Sequence, residues 1–256
     1  VGSGFLYGRE LQCLRLAATP LAEAVYCWGD DLGGALGAGA PDLFPSPAAL
    51  PGLTGLTSIT AAQTSTTAVL ADGSVSSWGE SYSLVGSQVA SPQTIPFLAA
   101  DNAVVHPHDA SRRAYVRKTS GATVLVEQGV VKPGQRLLSS GFDDFIDART
   151  YDHWDIGLRQ DGHIVVHAAD AMGNEEGLFG NGTVTAAPGD NQTVPNITTA
   201  QAIAAFGDDY NPDPAHVCAL LGPAGTVSCW GENHYGQIGN GLPSDDPVTV
   251  PTAVSI

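Results

Sequence analysis

The stretch CWGENHYGQIGNG, Cys229 to Gly241, sets a tryptophan beside a cysteine and then places four glycines within thirteen residues. Glycine costs ordering entropy and is used where backbone turns with φ > 0 or passes close to other backbone. Tryptophan, by contrast, wants burial. The stretch therefore reads as a strand that ends in a shaped loop. A second copy, CWGDDLGGALGAG, runs from Cys27 to Gly39, and two such copies point to a repeating chain.

Working outward from Trp230, Gly225 lies five residues before it, and the same interval separates Gly73 from Trp78, Gly121 from Val126 and Gly162 from His167. Each glycine sits in a turn dipeptide: Asp72-Gly73, Ser120-Gly121, Asp161-Gly162 and Ala224-Gly225. Asp-Gly between alternating apolar runs is a strong hairpin signal. Trp28 joins the series with a longer turn, Ala17 to Glu23, that contains Thr19-Pro20. The slots at Trp28, Trp78, Val126, His167 and Trp230 are 50, 48, 41 and 63 residues apart. The wrap-around interval from Trp230 through both ends to Trp28 is 54. A second element recurs before the hairpins, in Ile59-Thr60-Ala61, Ile146-Asp147-Ala148 and Ile203-Ala204-Ala205.

Repeats of this length, each with room for four short strands, predict an all-β, closed β-propeller of five blades of four antiparallel strands, a ring that hides sheet edges. The wrap-around interval predicts further that N- and C-terminal strands complete one shared blade. Residues 1–256 then form one propeller domain. An open array of blades is the alternative, because the 63-residue unit has room for an extra strand pair.

Composition agrees with an all-β chain. The 256 residues include 31 Gly and 17 Pro but only 14% charged residues, and 43% are hydrophobic, enough for a sizeable core. Ten basic against 26 acidic residues give a formal charge of -16, which argues against nucleic-acid binding. No apolar run approaches the 18 residues of a membrane span, so membrane insertion is not expected.

The run His216-Val217-Cys218-Ala219-Leu220, a turn, Val227-Ser228-Cys229-Trp230-Gly231, then Asn233, Gly236-Gln237-Ile238-Gly239 and Gly241 resembles the regulator-of-chromosome-condensation repeat in its bacterial, cysteine-containing form. Tyr26-Cys27-Trp28-Gly29 with Leu36-Gly37, Val75 to Gly79, and Gly177-Leu178-Phe179-Gly180 carry parts of the same pattern. The resemblance implies a propeller, and the family's best-known members have seven blades. The five units found here depart from that count.

Cys218 and Cys229 lie 11 apart on the two arms of one hairpin, and Cys13 and Cys27 lie 14 apart at the matching slots of the first unit. Neither spacing is a Cys-x-x-Cys pattern. Their even number and facing strands predict two disulfides, Cys13 to Cys27 and Cys218 to Cys229, each stabilising by about 3 kcal/mol. Disulfides place the protein in an oxidising location, extracellular or on a cell surface. Buried free thiols in a cytosolic protein are the alternative.

Loops on a rigid scaffold are where binding function concentrates, and the loops entering each hairpin differ in chemistry. They offer Tyr7 in the first unit; His106, His108, Arg112 and Arg113 in the third; Tyr151, His153 and Trp154 in the fourth; and Asp209 and Tyr210 in the fifth. Aromatic side chains beside fixed polar groups serve both glycan stacking and protein recognition. The bland alternative is that Trp154 and Tyr210 pack under their loops. Eight of the ten basic residues, Arg112, Arg113, Arg117, Lys118, Lys132, Arg136, Arg149 and Arg159, fall in one sector, which suggests an anion-accepting flank or simply a solvated face.

No nucleophile with its base and no paired carboxylates can be placed, so no enzyme, cofactor or metal site is expected. Asp209, Asn211 and Asp213 copy the start of a calcium loop, but Pro214 stands where its glycine belongs. Three sequons, at Asn181, Asn191 and Asn196, mark an exposed polar segment.

The expected function is a non-catalytic recognition module of the adhesin or fibre-tip kind, binding a protein or glycan on a cell surface through loops on one propeller face. A structural or assembly domain without its own ligand and a polysaccharide-acting enzyme are the alternatives. Guanine-nucleotide exchange is what the family name suggests. The cysteines, the acidic balance and the absence of a wedge insertion stand against it.

Overall fold

The computed structural model of the chain describes residues 2–6, 9–17, 23–30, 34–37, 39, 43–50, 53, 55–61, 65–79, 89–95, 104–107, 113–117, 123–127, 130–132, 144–151, 153–207 and 215–255. Strands between 104 and 132 are described by backbone and register. The described residues form five four-stranded antiparallel sheets. The first holds β1 (Gly2–Leu6), β2 (Arg9–Ala17), β3 (Glu23–Asp30) and β4 (Leu43–Ala49). The second holds β5 (Leu56–Ala61), β6 (Ser65–Leu70), β7 (Val75–Gly79) and β8 (Val89–Thr94), and the third β9 (Val104–Pro107), β10 (Arg113–Arg117), β11 (Thr123–Glu127) and β12 (Val130–Lys132). The fourth holds β13 (Phe145–Thr150), β14 (Trp154–Arg159), β15 (Ile164–Ala168) and β16 (Asn191–Thr193), and the fifth β17 (Ala200–Phe206), β18 (His216–Leu221), β19 (Thr226–Asn233) and β20 (Ser244–Ala253).

These sheets group into two compact units, Val1–Pro133 with three sheets and Gly134–Ile256 with two. Every slot of the repeat falls on the third strand of its sheet: Trp28, Trp78, Val126, His167 and Trp230. Among the described residues, the long interval before Trp230 contains no extra strand pair. It is taken up by the connection from β15 to β16, which carries one 3₁₀ turn, η1 (Ala171–Asn174).

The expectation of a blade shared by the two chain ends is not met. Strands β1 to β4 complete the first sheet, and β17 to β20 complete the fifth, each from one contiguous segment. A spacing measured between third strands is the same wherever the boundary between sheets falls, so the wrap-around interval carried no information about that boundary.

Each Trp-Gly pair marks a break in register. The pairing of third with fourth strand shifts between Cys27 and Gly29, between Ser77 and Gly79, and between Cys229 and Gly231. A bulge of this kind bends the strand and needs positive φ. Gly231 has φ 110°, and a Cβ there would lie 2.5 Å from the Ala215 carbonyl oxygen, so only glycine fits.

The tryptophans answer the question of burial. Trp78 is fully buried, and its Nε1 donates to the Ala35 carbonyl at 2.8 Å, in the loop after β3. Trp230 is likewise fully buried, and its Nε1 donates to the Leu178 carbonyl at 2.8 Å, in the loop after β15. Thus the third strand of one sheet is anchored on the glycine loop of the sheet before it. Gly37 makes room for Trp78, since a Cβ there would lie 2.6 Å from Nε1.

Just before each slot, one cross-strand pair is filled in different ways. Cys13 pairs with Cys27, Thr67 with Ser77, Tyr115 with Leu125, Ile156 with Val166, and Cys218 with Cys229. Both cysteine pairs are disulfides, with Cα atoms 4.1 Å apart in each. In the second sheet the same position is a hydrogen bond of 3.1 Å between Thr67 Oγ1 and Ser77 Oγ.

Candidate functional site

Strand direction gathers the described loops of Gly134–Ile256 at one end of its sheets. The connections β13–β14 (151–153), β15–β16 (169–190) and β19–β20 (234–243) all leave the same end, as does Gly207 at the close of β17. The opposite end carries the tight turns at 160–163 and 222–225.

Tyr151 and Trp154 lie at the first end but are turned inward. Their rings stack with centroids 4.3 Å apart and planes 12° from parallel, and both are buried. The Tyr151 hydroxyl donates to the Ala205 carbonyl of β17 at 2.7 Å, and Gly207 lies against both rings. Burial wins because the neighbouring sheet offers an apolar floor together with a carbonyl for the phenol, which a displayed tyrosine would have to find in water. Neither ring is displayed as a stacking platform.

His153 is half-exposed between them. Its Nδ1 lies 2.7 Å from Asp170 Oδ2, and Asp170 caps η1 by accepting from the Met172 backbone N–H at 2.9 Å. The histidine thus ties the short loop to the long one. His106 and Arg113 lie on the strands β9 and β10, paired in register with Tyr115 and Glu127. Tyr7, His108, Arg112, Asp209 and Tyr210 lie outside the described residues, as does the Asp209–Asp213 segment.

The most exposed large hydrophobic side chains at this end belong to a different loop from those entering the hairpins. Tyr235 is 81% exposed and Leu242 is 72% exposed, both in the stretch between β19 and β20. His234 meets the Tyr235 ring edge-on at 4.6 Å and pairs with Asp245 at 2.7 Å. The loop beneath them is firmly held. Asn233, 1% exposed, donates through Nδ2 to the Leu242 carbonyl at 2.6 Å and accepts from the Ile238 N–H at 3.1 Å. Glu232 accepts from the His234 N–H at 2.8 Å and from the Gln237 amide, whose Oε1 in turn accepts from the Tyr235 N–H at 2.8 Å. The sequence signal was there: Asn-His-Tyr opens a glycine-shaped loop in which a tyrosine has no core to fill.

Two members of the basic sector are spent on carboxylates. Arg149 pairs with Asp147 at 3.1 Å, and Arg159 reaches Asp144 at 2.9 Å and Asp161 at 2.8 Å. Their share of an anion-accepting flank is therefore neutralised. A groove of about 470 Å³ is lined by Asn181, Pro195, Asn196, Leu221, Val250 and Pro251 among others. No ionisable side chain lines it.

No protein family matches the sequence, and no curated protein sequence matches it. Solved structures do. Human WBSCR16 superposes with a TM-score of 0.66 at 16% identity, covering 91% of this chain and 65% of that one. Prp20p from Saccharomyces cerevisiae, described with its binding properties to Gsp1p and histones, gives 0.61 at 15% identity, covering 91% and 59%. The structure of Kap60 bound to yeast RCC1 (Prp20) gives 0.63 at 15%, covering 91% and 60%. The fold is an RCC1-like β-propeller. This chain spans between 59% and 65% of the length of those RCC1-like structures. The two disulfides of this propeller are compatible with an extracellular location. Among the described residues, no helix is long and apolar enough to cross a membrane.

Proposed function

We propose that this chain is a non-catalytic recognition module, of the adhesin or fibre-tip kind, that works outside the cell or on its surface and takes a protein partner through the loop end of its fourth and fifth sheets. The observation that carries the reading is the pair Tyr235 and Leu242, exposed on a loop whose backbone is fixed by Asn233, Glu232 and Gln237. A rigid aromatic and an aliphatic side chain, both open to solvent, are what a protein interface uses as anchors. Little conformational entropy is then lost on binding. Protein binding by Prp20p shows that the same fold serves this role elsewhere.

The test is a screen of the oxidised protein against cell-surface proteins and against glycans, with Tyr235→Ala and Leu242→Ala beside it. A protein partner whose affinity falls by about 2 kcal/mol or more in Tyr235→Ala, with unchanged folding, supports the reading. Capture of glycans alone moves the specificity to carbohydrate. Binding that survives both substitutions removes the loop from the site.

A further inference from the structure

We propose that Asn181 and Asn196 carry N-linked glycans, and that the first sugars of these glycans cover the groove that both residues line.

The three sequons, Asn181-Gly182-Thr183, Asn191-Gln192-Thr193 and Asn196-Ile197-Thr198, lie close together in the sequence, and the structure separates them. Asn191 is half-buried and serves the fourth sheet: its Oδ1 lies 3.1 Å from His167 Nδ1, and its Nδ2 donates to the Gly189 carbonyl at 3.3 Å. Asn181 and Asn196 are exposed, and among the described residues the Nδ2 of neither donates a hydrogen bond. That nitrogen is the atom to which a glycan is joined.

Backbone geometry accounts for the asparagine at 196 but not for its threonine. Asn196 has φ 63°, a left-handed conformation that asparagine adopts more readily than most residues, and the next residue, Ile197, enters the core. Thr198 is exposed, and its hydroxyl makes no hydrogen bond among the described residues. The fold therefore has a use for Asn196 alone, whereas a glycan acceptor needs both. At the other site Thr183 Oγ1 donates to Asn181 Oδ1 at 2.7 Å, which engages the amide oxygen and leaves the nitrogen unbonded.

Both asparagines line the groove of about 470 Å³ with Pro195, Leu221, Val250 and Pro251, and every lining residue belongs to Gly134–Ile256. That volume is of the size that small ligands fill, roughly 300–1,000 Å³. Its walls carry no ionisable side chain, and Val250 is left 49% exposed. An N-acetylhexosamine is uncharged, with hydroxyls round its rim and C–H groups on its faces. It can cover prolines and a valine without desolvating a charge. Attachment at the rim also makes the contact intramolecular, so a weak affinity suffices.

In the joining step, Nδ2 bonds to the anomeric carbon of an oligosaccharide carried on a polyprenyl diphosphate. The anomeric C–O bond breaks, the lipid diphosphate leaves with its electron pair, and Nδ2 gives up one proton. This rests on the extracellular reading, since chains meet that donor on their way out of the cell.

The test is to secrete the full chain from cells that make such glycans, to map its peptides by mass spectrometry, and to record NMR spectra of protein trimmed to one N-acetylhexosamine per site. Asn181 and Asn196 are expected to be occupied and Asn191 bare. Thr198→Ala keeps Asn196 and its turn but loses the glycan at 196 only. Asn181→Asp keeps the acceptor for Thr183 but loses the glycan at 181 only. Cross-relaxation between sugar protons and the methyl groups of Val250 or Leu221 is the expected sign of the covered groove. Folded, secreted protein that is bare at both sites overturns the proposal, as does occupancy confined to Asn191. Glycans that make no contact with the groove overturn it too. A glycosylated chain that captures no protein partner counts against the recognition loop alone and leaves this result standing.

Discussion

The fourth and fifth sheets share one construction and fill it with opposite chemistry. In the fifth, the slot residue Trp230 stands opposite Val217, and the pair before it is the Cys218–Cys229 disulfide. In the fourth, the slot residue His167 stands opposite Asp155, both buried, and the pair before it is Ile156 with Val166. Trp230 reaches out of its sheet to the Leu178 carbonyl. His167 Nδ1 lies 3.1 Å from Asn191 Oδ1 on β16, in its own sheet. The difference teaches that backbone register defines the blade, while side chains decide which partner a slot takes: a carbonyl of the preceding sheet's loop for Trp230, an amide on the outer strand of its own sheet for His167.

The largest test of this contrast is truncation. Trp230→Ala opens a cavity at a junction and is expected to cost about 3–5 kcal/mol. His167→Ala removes a smaller ring and is expected to cost less. Denaturant titration of both variants checks the order, and equal losses would mean that the histidine also carries a junction.

Second comes the staple. Replacing Cys218 and Cys229 together by alanine is expected to lower stability by about 3 kcal/mol in the chain-entropy account. Ile156 and Val166 occupy the same pair without a covalent bond, so a reductant leaves the fourth sheet's pair as it was. Hydrogen exchange with and without reductant resolves the two: protection falls in β18 and β19 and holds in β14 and β15.

Third is the indole N–H alone. Trp230→Phe keeps most of the apolar area but leaves the buried Leu178 carbonyl without its donor, at about 1–3 kcal/mol. Trp78→Phe, which strips Ala35 of one of its two donors, costs less, because Thr66 Oγ1 still donates to that carbonyl at 2.7 Å.

How much of this was legible in the sequence follows from what periodicity measures. Glycine five residues before a slot locates the turn and third strand at four of the five slots, and Trp28, whose turn lacks that glycine, is located by its Cys-Trp-Gly stretch. Facing positions on one hairpin were enough to pair the cysteines. The boundary between sheets was not legible, because an interval does not say where it is cut. Nor was the inward turn of Tyr151 and Trp154, since the floor they pack on, Ala205 and Gly207, lies over 50 residues away in sequence. Tyr235 does not stand out among the loops entering each hairpin, because it sits in a loop between third and fourth strands.

The smallest effect lies in the turns that close the two hairpins. In the fourth sheet, burial pushes the Asp161 carboxyl up, but the His163 backbone N–H at 3.1 Å, the His163 ring and Arg159 together outweigh it and hold the group below its ordinary 3.8. A carboxylate whose folded pKa is depressed adds stability above its unfolded pKa, and that contribution is lost as pH falls through the folded value. The corresponding turn of the fifth sheet, Gly222 to Gly225, contains no acid. Asp161→Asn should therefore lower the melting temperature slightly near neutral pH, and the gap from the parent should close once the pH is well below about 4. A gap of constant size down to that acidity would show that the charge of Asp161 plays no part, and that its turn is held, like that of the fifth sheet, by backbone alone.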